Sequence, residues 1–132
     1  MAESTSVTSL RGMHLLLVGG NIPHARILKR ALETSHALVV ACASAAEALR
    51  VMEHVRVDIL VVDVQDPDDD SRQLIGDVRA LSREHGGDTP AVAVTRSLKD
   101  REALLAAGFQ ANLTRPVDVA NLCQTVAALV HR

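Results

Sequence analysis

Asp63 closes the apolar run Val57-Asp58-Ile59-Leu60-Val61-Val62-Asp63, and an acidic loop, Gln65-Asp66-Pro67-Asp68-Asp69-Asp70, follows it. A carboxylate at the tip of a buried strand can attack a phosphoryl group or hold a hard cation. Thr95 and the triplet Thr114-Arg115-Pro116 end two further apolar runs and add a hydroxyl and a fixed positive charge. The first apolar run instead ends in Val18-Gly19-Gly20-Asn21, which carries no acid. A carboxylate approaching a polyanionic phosphorus centre needs a divalent cation between the like charges. The sequence therefore offers an acceptor without the carboxylates that would hold its metal.

These residues need a scaffold that gathers strand tips, and the hydrophobic pattern supplies one. Short continuous apolar runs predict strands at Met13–Val18, Ala37–Cys42, Asp58–Asp63, Pro90–Val94 and Ala111–Leu113. Stretches with apolar residues three and four apart predict helices at Pro23–Thr34, Ala45–His54, Ser71–His85, Leu98–Ala107 and Val119–Val130. Asn21 with Pro23, the capping box Ser44-Ala-Ala-Glu47, and Asp118 after Pro116 mark helix starts, while Gly86-Gly87-Asp88 breaks the chain. Five strands alternating with five helices give an α/β fold, a (βα)5 doubly wound parallel sheet covered on both faces. Its ligand crevice lies beyond the strand C-termini, which collects the loops after Val18, Asp63 and Val94.

With 132 residues the chain is one domain that can bury its own core. Hydrophobic residues make up 48% but aromatic ones 1%, so Val, Leu, Ile and Ala must pack that core around the single ring, Phe109. Fourteen basic and sixteen acidic residues are scattered, which excludes a concentrated footprint for nucleic acid or an anionic membrane. Cys42 and Cys123 lack CxxC or metal spacing and read as reduced packing residues. No run is long enough to span a bilayer and the polar start lacks a leader pattern, so the expected location is cytoplasmic. Residues 1–11 read as a flexible tail or linker and 12–132 as the domain, with no output domain expected after Arg132.

Each pointed reading has a plainer competitor. Asp63 with Asp66 could form a substitute metal pair, but Asp66, Asp68, Asp69 and Asp70 ahead of a helix more simply form a solvated cap. Thr95 could merely cap the following helix, and Gly19-Gly20 could merely allow a tight turn, since spaced dinucleotide-loop glycines are missing. The histidines show no paired ligand spacing; His24, in the first helical turn beside the crevice, is expected to be a solvated helix residue. Arg96, Arg101 and Arg115 could together take an anionic nucleotide.

The order and spacing of Asp63-Val-Gln-Asp-Pro67, Asp70-Ser71, Thr95, Ala107-Gly108 and Leu113-Thr114-Arg115-Pro116 resemble the CheY-like receiver domains of bacterial two-component response regulators over nearly the whole chain. The segment from Leu10 to Asn21 also resembles the junction leading into receivers of hybrid sensor kinases. The resemblance implies the flavodoxin-like strand order 2-1-3-4-5, and a non-enzymatic module whose parent could be a hybrid histidine kinase. It implies Asp63 as phospho-acceptor position, and Thr95 and Arg115 as the phosphate-sensing positions, Arg115 standing where the family has Lys. The family's acidic pair falls on Gly19 and Gly20, and its switch aromatic falls on Asn112.

These departures lead to the expectation of a degenerate receiver that binds Mg²⁺ weakly or not at all and works by docking, with Asp63 paired to Arg115 instead of phosphate. Expected partners are a histidine kinase core, phosphotransfer or receiver domains in the same or another chain, or a second copy through residues 94–113 and the last helix. Nucleic acid and direct membrane contact are not expected. The alternatives are a working receiver phosphorylated on Asp63, and a receiver-like module that binds a nucleotide second messenger.

Overall fold

The computed structural model describes residues 9–19, 21–65 and 69–130. Five strands, β1 (His14–Val18), β2 (Leu38–Cys42), β3 (Ile59–Asp63), β4 (Ala91–Thr95) and β5 (Ala111–Thr114), form one parallel sheet in the order β2-β1-β3-β4-β5. The helices are α1 (Ile22–Thr34), α2 (Ala45–His54), α3 (Asp69–Arg79), α4 (Arg101–Ala107) and α5 (Val119–Val130). The (βα)5 architecture and strand order inferred from the sequence are those observed.

The central strands β3 and β4 are buried along their whole length, which is why their sequences are continuously apolar rather than alternating. Two cores result. One, under α2, α3 and α4, includes Leu60, Val62, Leu74, Ile75, Leu104 and Phe109; the other, under α1 and α5, includes Leu28, Leu32, Val61, Val94, Leu122 and Val126. Because strand side chains alternate between the faces, Asp63 continues the odd row of β3 while Val62 and Val64 face the other core.

The caps expected from the sequence form. Asn21 Oδ1 accepts from the His24 amide at 3.0 Å, Ser44 Oγ from the Glu47 amide at 3.3 Å, and Asp118 Oδ1 from the Asn121 amide at 3.1 Å. Three boundaries differ from expectation. The predicted helix over Ser71–His85 ends at Arg79 and resumes as a 3₁₀ turn at Arg83–His85, capped by Ser82. The predicted helix from Leu98 starts as a 3₁₀ turn, Leu98–Asp100, and turns α-helical only at Arg101. Leu10, assigned to the tail from its polar surroundings, is fully buried and its amide donates to Ser35 O at 2.7 Å.

Arg79 explains the first break. Its Nε and Nη2 donate to Gly108 O at 3.1 and 2.8 Å, Nη1 to Gly87 O at 3.1 Å and Thr89 O at 2.6 Å, and Nη2 to Gln110 Oε1 at 2.9 Å. One guanidinium thus ties the end of α3 to the C-terminus of α4 and to the loop entering β4. Burial pushes this guanidinium down from its ordinary value, partly offset by Asp88.

Cys42 and Cys123 are both free and buried. Burial, with the charge of Glu47 behind it, pushes the Cys42 thiol up from its ordinary value. Iodoacetamide at neutral pH is therefore expected to label native Cys42 at least about tenfold more slowly than urea-unfolded Cys42, because the thiolate is the nucleophile. Equal rates by mass spectrometry would contradict that burial.

Candidate functional site

Asp63, the last residue of β3, brings a side chain with no solvent exposure to the C-terminal rim of the sheet. Its Oδ1 accepts from Arg115 Nη1 at 2.7 Å, and the same nitrogen donates to Val64 O at 2.9 Å. Its Oδ2 lies 2.7 Å from His24 Nδ1 and accepts from Gln65 Nε2 at 3.0 Å. An ionised carboxylate can only accept, so Nδ1 carries the proton in that contact. Both oxygens are occupied by donors from three separate chain segments.

Each donor is held by its own element. Arg115 follows β5, and its amide donates to Thr95 O at 2.7 Å, which continues the β4–β5 ladder past its last strand pair. His24 sits three residues after the Asn21 cap, so the first turn of α1 points it over the rim. The expectation of a solvated His24 is thereby corrected: its side chain is 20% exposed and is paired to Asp63. Gln65, which carried no assignment from sequence, is the third donor.

Thr95 ends β4 at the same rim, but its hydroxyl turns away from the carboxylate. It donates to Ser97 O at 2.7 Å and accepts from Asn112 Nδ2 at 2.8 Å. Asn112 Nδ2 also lies 3.2 Å from Ala93 O and from Leu113 O, while the buried Asn112 Oδ1 finds no partner among the described residues. The helix after Thr95 is capped by Ser97, not by Thr95.

Gly19 lies directly against Asp63: a Cβ there would stand 3.0 Å from Asp63 Cβ and 3.5 Å from Oδ2. With only hydrogen at that position, a cleft of about 380 Å³ opens between Gly19, Ser44, Asp63, Gln65 and Ser71. Gly20, Asp66 and Asp68 lie outside the described residues; Asp69 and Asp70 form the start of α3. Arg96 lines a separate small pocket with Thr95 and Lys99, whereas Arg115 borders a groove between α1 and α5. The three arginines considered together from sequence therefore face different pockets or solvent.

Among the described residues no three His, Cys, Asp or Glu side chains converge as metal ligands. The groups that meet here are the Asp63 carboxylate and the nitrogen-bearing side chains of Arg115, His24 and Gln65, of which the guanidinium cannot ligate. A hard, reluctantly dehydrated cation such as Mg²⁺ asks for several oxygens, and among the described residues the side chains that contact Asp63 add only the amide oxygen of Gln65 to its own carboxylate.

An α/β sheet in this order, with an aspartate at the tip of β3, a threonine at the tip of β4 and a cation after β5, defines the receiver class of signalling domains. The chain belongs to the response regulator receiver domain family, whose pattern it matches over residues 15–127. It is 37% identical over 120 residues to an uncharacterised 14.6 kDa protein of Leptolyngbya boryana, covering 89% of this chain and 90% of that one. It is 30% identical over 128 residues to the sensor histidine kinase GacS of Pseudomonas protegens, covering 95% of this chain but only 14% of GacS. The receiver domain of the sensor histidine kinase PA1611 of Pseudomonas aeruginosa PAO1, solved with magnesium in its active-site cleft, superposes with a TM-score of 0.81 at 27% identity, covering 92% of this chain and 99% of that one.

A His24→Ala variant is expected to lose about 1.5–2 kcal/mol, the low end for a hydrogen bond to a charged group, because Asp63 Oδ2 keeps only Gln65. The midpoint of thermal unfolding should fall by roughly 5–7 °C for a domain of this size. An unchanged midpoint would mean that the contact contributes nothing.

Proposed function

We propose that this receiver domain works as a phosphorylation-independent docking module in two-component signalling. The observation that carries this reading is the Asp63 carboxylate, buried without exposure and closed on both oxygens by Arg115, His24 and Gln65. In a working receiver a bound divalent cation would neutralise charge between the acceptor and an incoming phosphoryl group. Here Arg115 already supplies a fixed positive charge to Oδ1 of that carboxylate, and Gly19 supplies no second carboxylate.

The readout half of a phosphate switch is changed as well. Thr95 is held by Asn112, a residue without a ring that could swing between buried and exposed positions. Both ends of the relay are thus pinned in one arrangement by hydrogen bonds internal to the domain. Such a domain contributes a surface of constant shape and is not itself a catalyst.

The surface that best supports docking lies between α1 and α5. Its groove of about 370 Å³ is lined by Ile27, Leu28, Ala31, Val119 and Leu122, with His24, Arg115 and Pro116 at the end nearest Asp63. Ile27 is 65% exposed and Val119 45%. On α1 the exposed Arg26 and Arg30 lie outside Ile27, without carboxylate partners among the described residues, and α5 carries no charged residue. This combination suits an amphipathic helix with acidic residues on one flank, from a histidine kinase core or phosphotransfer domain in the same or a partner chain. Of the surface expected from sequence, residues 94–113 expose only Leu98 among large apolar residues, whereas the last helix contributes Val119 and Leu122 to the groove, which favours the groove. The domain would act in the cytoplasm; no helix among the described residues is long and apolar enough to cross a membrane.

Titration with Mg²⁺ and beryllofluoride, followed by amide NMR, tests the central reading. Resonances near Asp63 and Thr95 should stay in place at about 10 mM Mg²⁺, well above what an intact acidic site requires. Saturable shifts at both residues would revive phosphorylation on Asp63.

A further inference from the structure

The sheet ends on one side in β2, and this edge lacks the usual protection. No Asp, Glu, Lys, Arg or Pro occurs from Ser35 to Ala46, and the β1–β2 register runs unbroken from Leu38 to Cys42, so no bulge twists the edge away. Natural sheet edges are ordinarily blunted by such charges, prolines or bulges. Among the described residues, two exposed large hydrophobic side chains, Leu38 at 58% and Val40 at 46%, lie on this single strand.

The backbone of β2 divides its groups in a fixed way. Leu38 N donates to Met13 O, and Cys42 O accepts from Gly19 N, so the even-numbered residues turn their polar groups toward β1. Val39 and Ala41 must then turn their N–H and C=O outward, since successive residues of a strand alternate. No loop or helix bonds to those outward groups among the described residues.

We infer that β2 is a dimerisation edge whose occupant is the β2 strand of a second copy of this chain, paired antiparallel about a two-fold axis at Val40. The register follows from the free groups. Val39 of each copy stands opposite Ala41 of the other, and each such pair exchanges both its hydrogen bonds, which uses every outward group of the two strands. Val40 then meets Val40 as a close, non-hydrogen-bonded pair, with Leu38 beside Cys42 of the other copy, so both exposed apolar side chains are covered.

A second copy is favoured over an unrelated strand because the segment is complementary to itself. It is uncharged, so the symmetric arrangement brings no like charges together, and its central residue is β-branched. The two sheets become one, and antiparallel pairing points the Asp63 rims in opposite directions. The α1/α5 grooves and the phosphorylation question are left untouched, so this inference stands apart from the reading above.

Sedimentation velocity of the full chain from about 1 to about 500 µM, which brackets micromolar to submillimolar affinity, tests it. The expected result is a concentration-dependent monomer–dimer equilibrium, with slowed amide exchange at Val39 and Ala41 only at the high end. Val40→Lys should weaken association at least about tenfold by placing two charges on the axis. Ala41→Pro should do the same by deleting an outward donor while sparing the β1 ladder, and circular dichroism of both variants in dilute solution should match wild type. A wild-type monomer throughout the range, or a dimer that survives both substitutions, would overturn the inference.

Discussion

An Arg115→Met variant is expected to be less stable than wild type by about 3 kcal/mol, the low end for breaking a buried ion pair by removing one partner. The Asp63 side chain has no solvent exposure and that of Arg115 only 18%, so water cannot take over the lost contact fully. The low end applies because His24 and Gln65 still serve Oδ2, while Oδ1 and the Val64 carbonyl lose their donor. Adding Asp63→Asn should recover part of the loss, since an amide buried without a cation costs less than a carboxylate. Urea unfolding of the two single variants and the double variant gives the coupling directly. A loss below about 0.5 kcal/mol for Arg115→Met would be ordinary for a surface residue and would end the view of Asp63 as a charge held by an internal cation.

The second large effect lies far from the crevice. Arg79→Ala should cost about 2–3 kcal/mol, because the carbonyls of Gly87, Thr89 and Gly108 lose one shared donor and only part of them can be rehydrated. Arg79→Lys should restore less than about half of this, since an ammonium on a flexible stem cannot span acceptors on opposite sides of a planar fork. The check is again chemical denaturation, together with amide exchange in the segment from Arg83 to Thr89, which should quicken in the variant. If Lys rescued fully, the residue would be acting as a point charge.

The fold was legible because its signals are local. The buried strands read as continuous apolar runs, and Ser44, Asn21 and Asp118 announce helix starts by chemistry that acts within three residues. Where the reading failed, the cause lay elsewhere in the chain. Helical spacing in Leu74, Val78 and Leu81 suggested one long helix, but Arg79 is drawn to carbonyls from Gly87 to Gly108, and the chain breaks to let it reach them. Leu10 looked like tail because its neighbours are polar, yet it packs in the core with its amide on Ser35 O.

The site divides in the same way. The residue types alone determined that Asp63 ends a central strand, that Gly19 brings no carboxylate to it, and that a cation follows β5, since these are properties of identity and order. Which donors close on the carboxylate, that His24 is one of them, and that the Thr95 hydroxyl faces Ser97 and Asn112 instead of Asp63, were decided by tertiary structure. The physical reason is range. Hydrophobic period and helix caps act between near neighbours in sequence, whereas His24 and Arg115 lie 39 and 52 positions from Asp63 and meet it only because parallel crossovers return every strand tip to one rim.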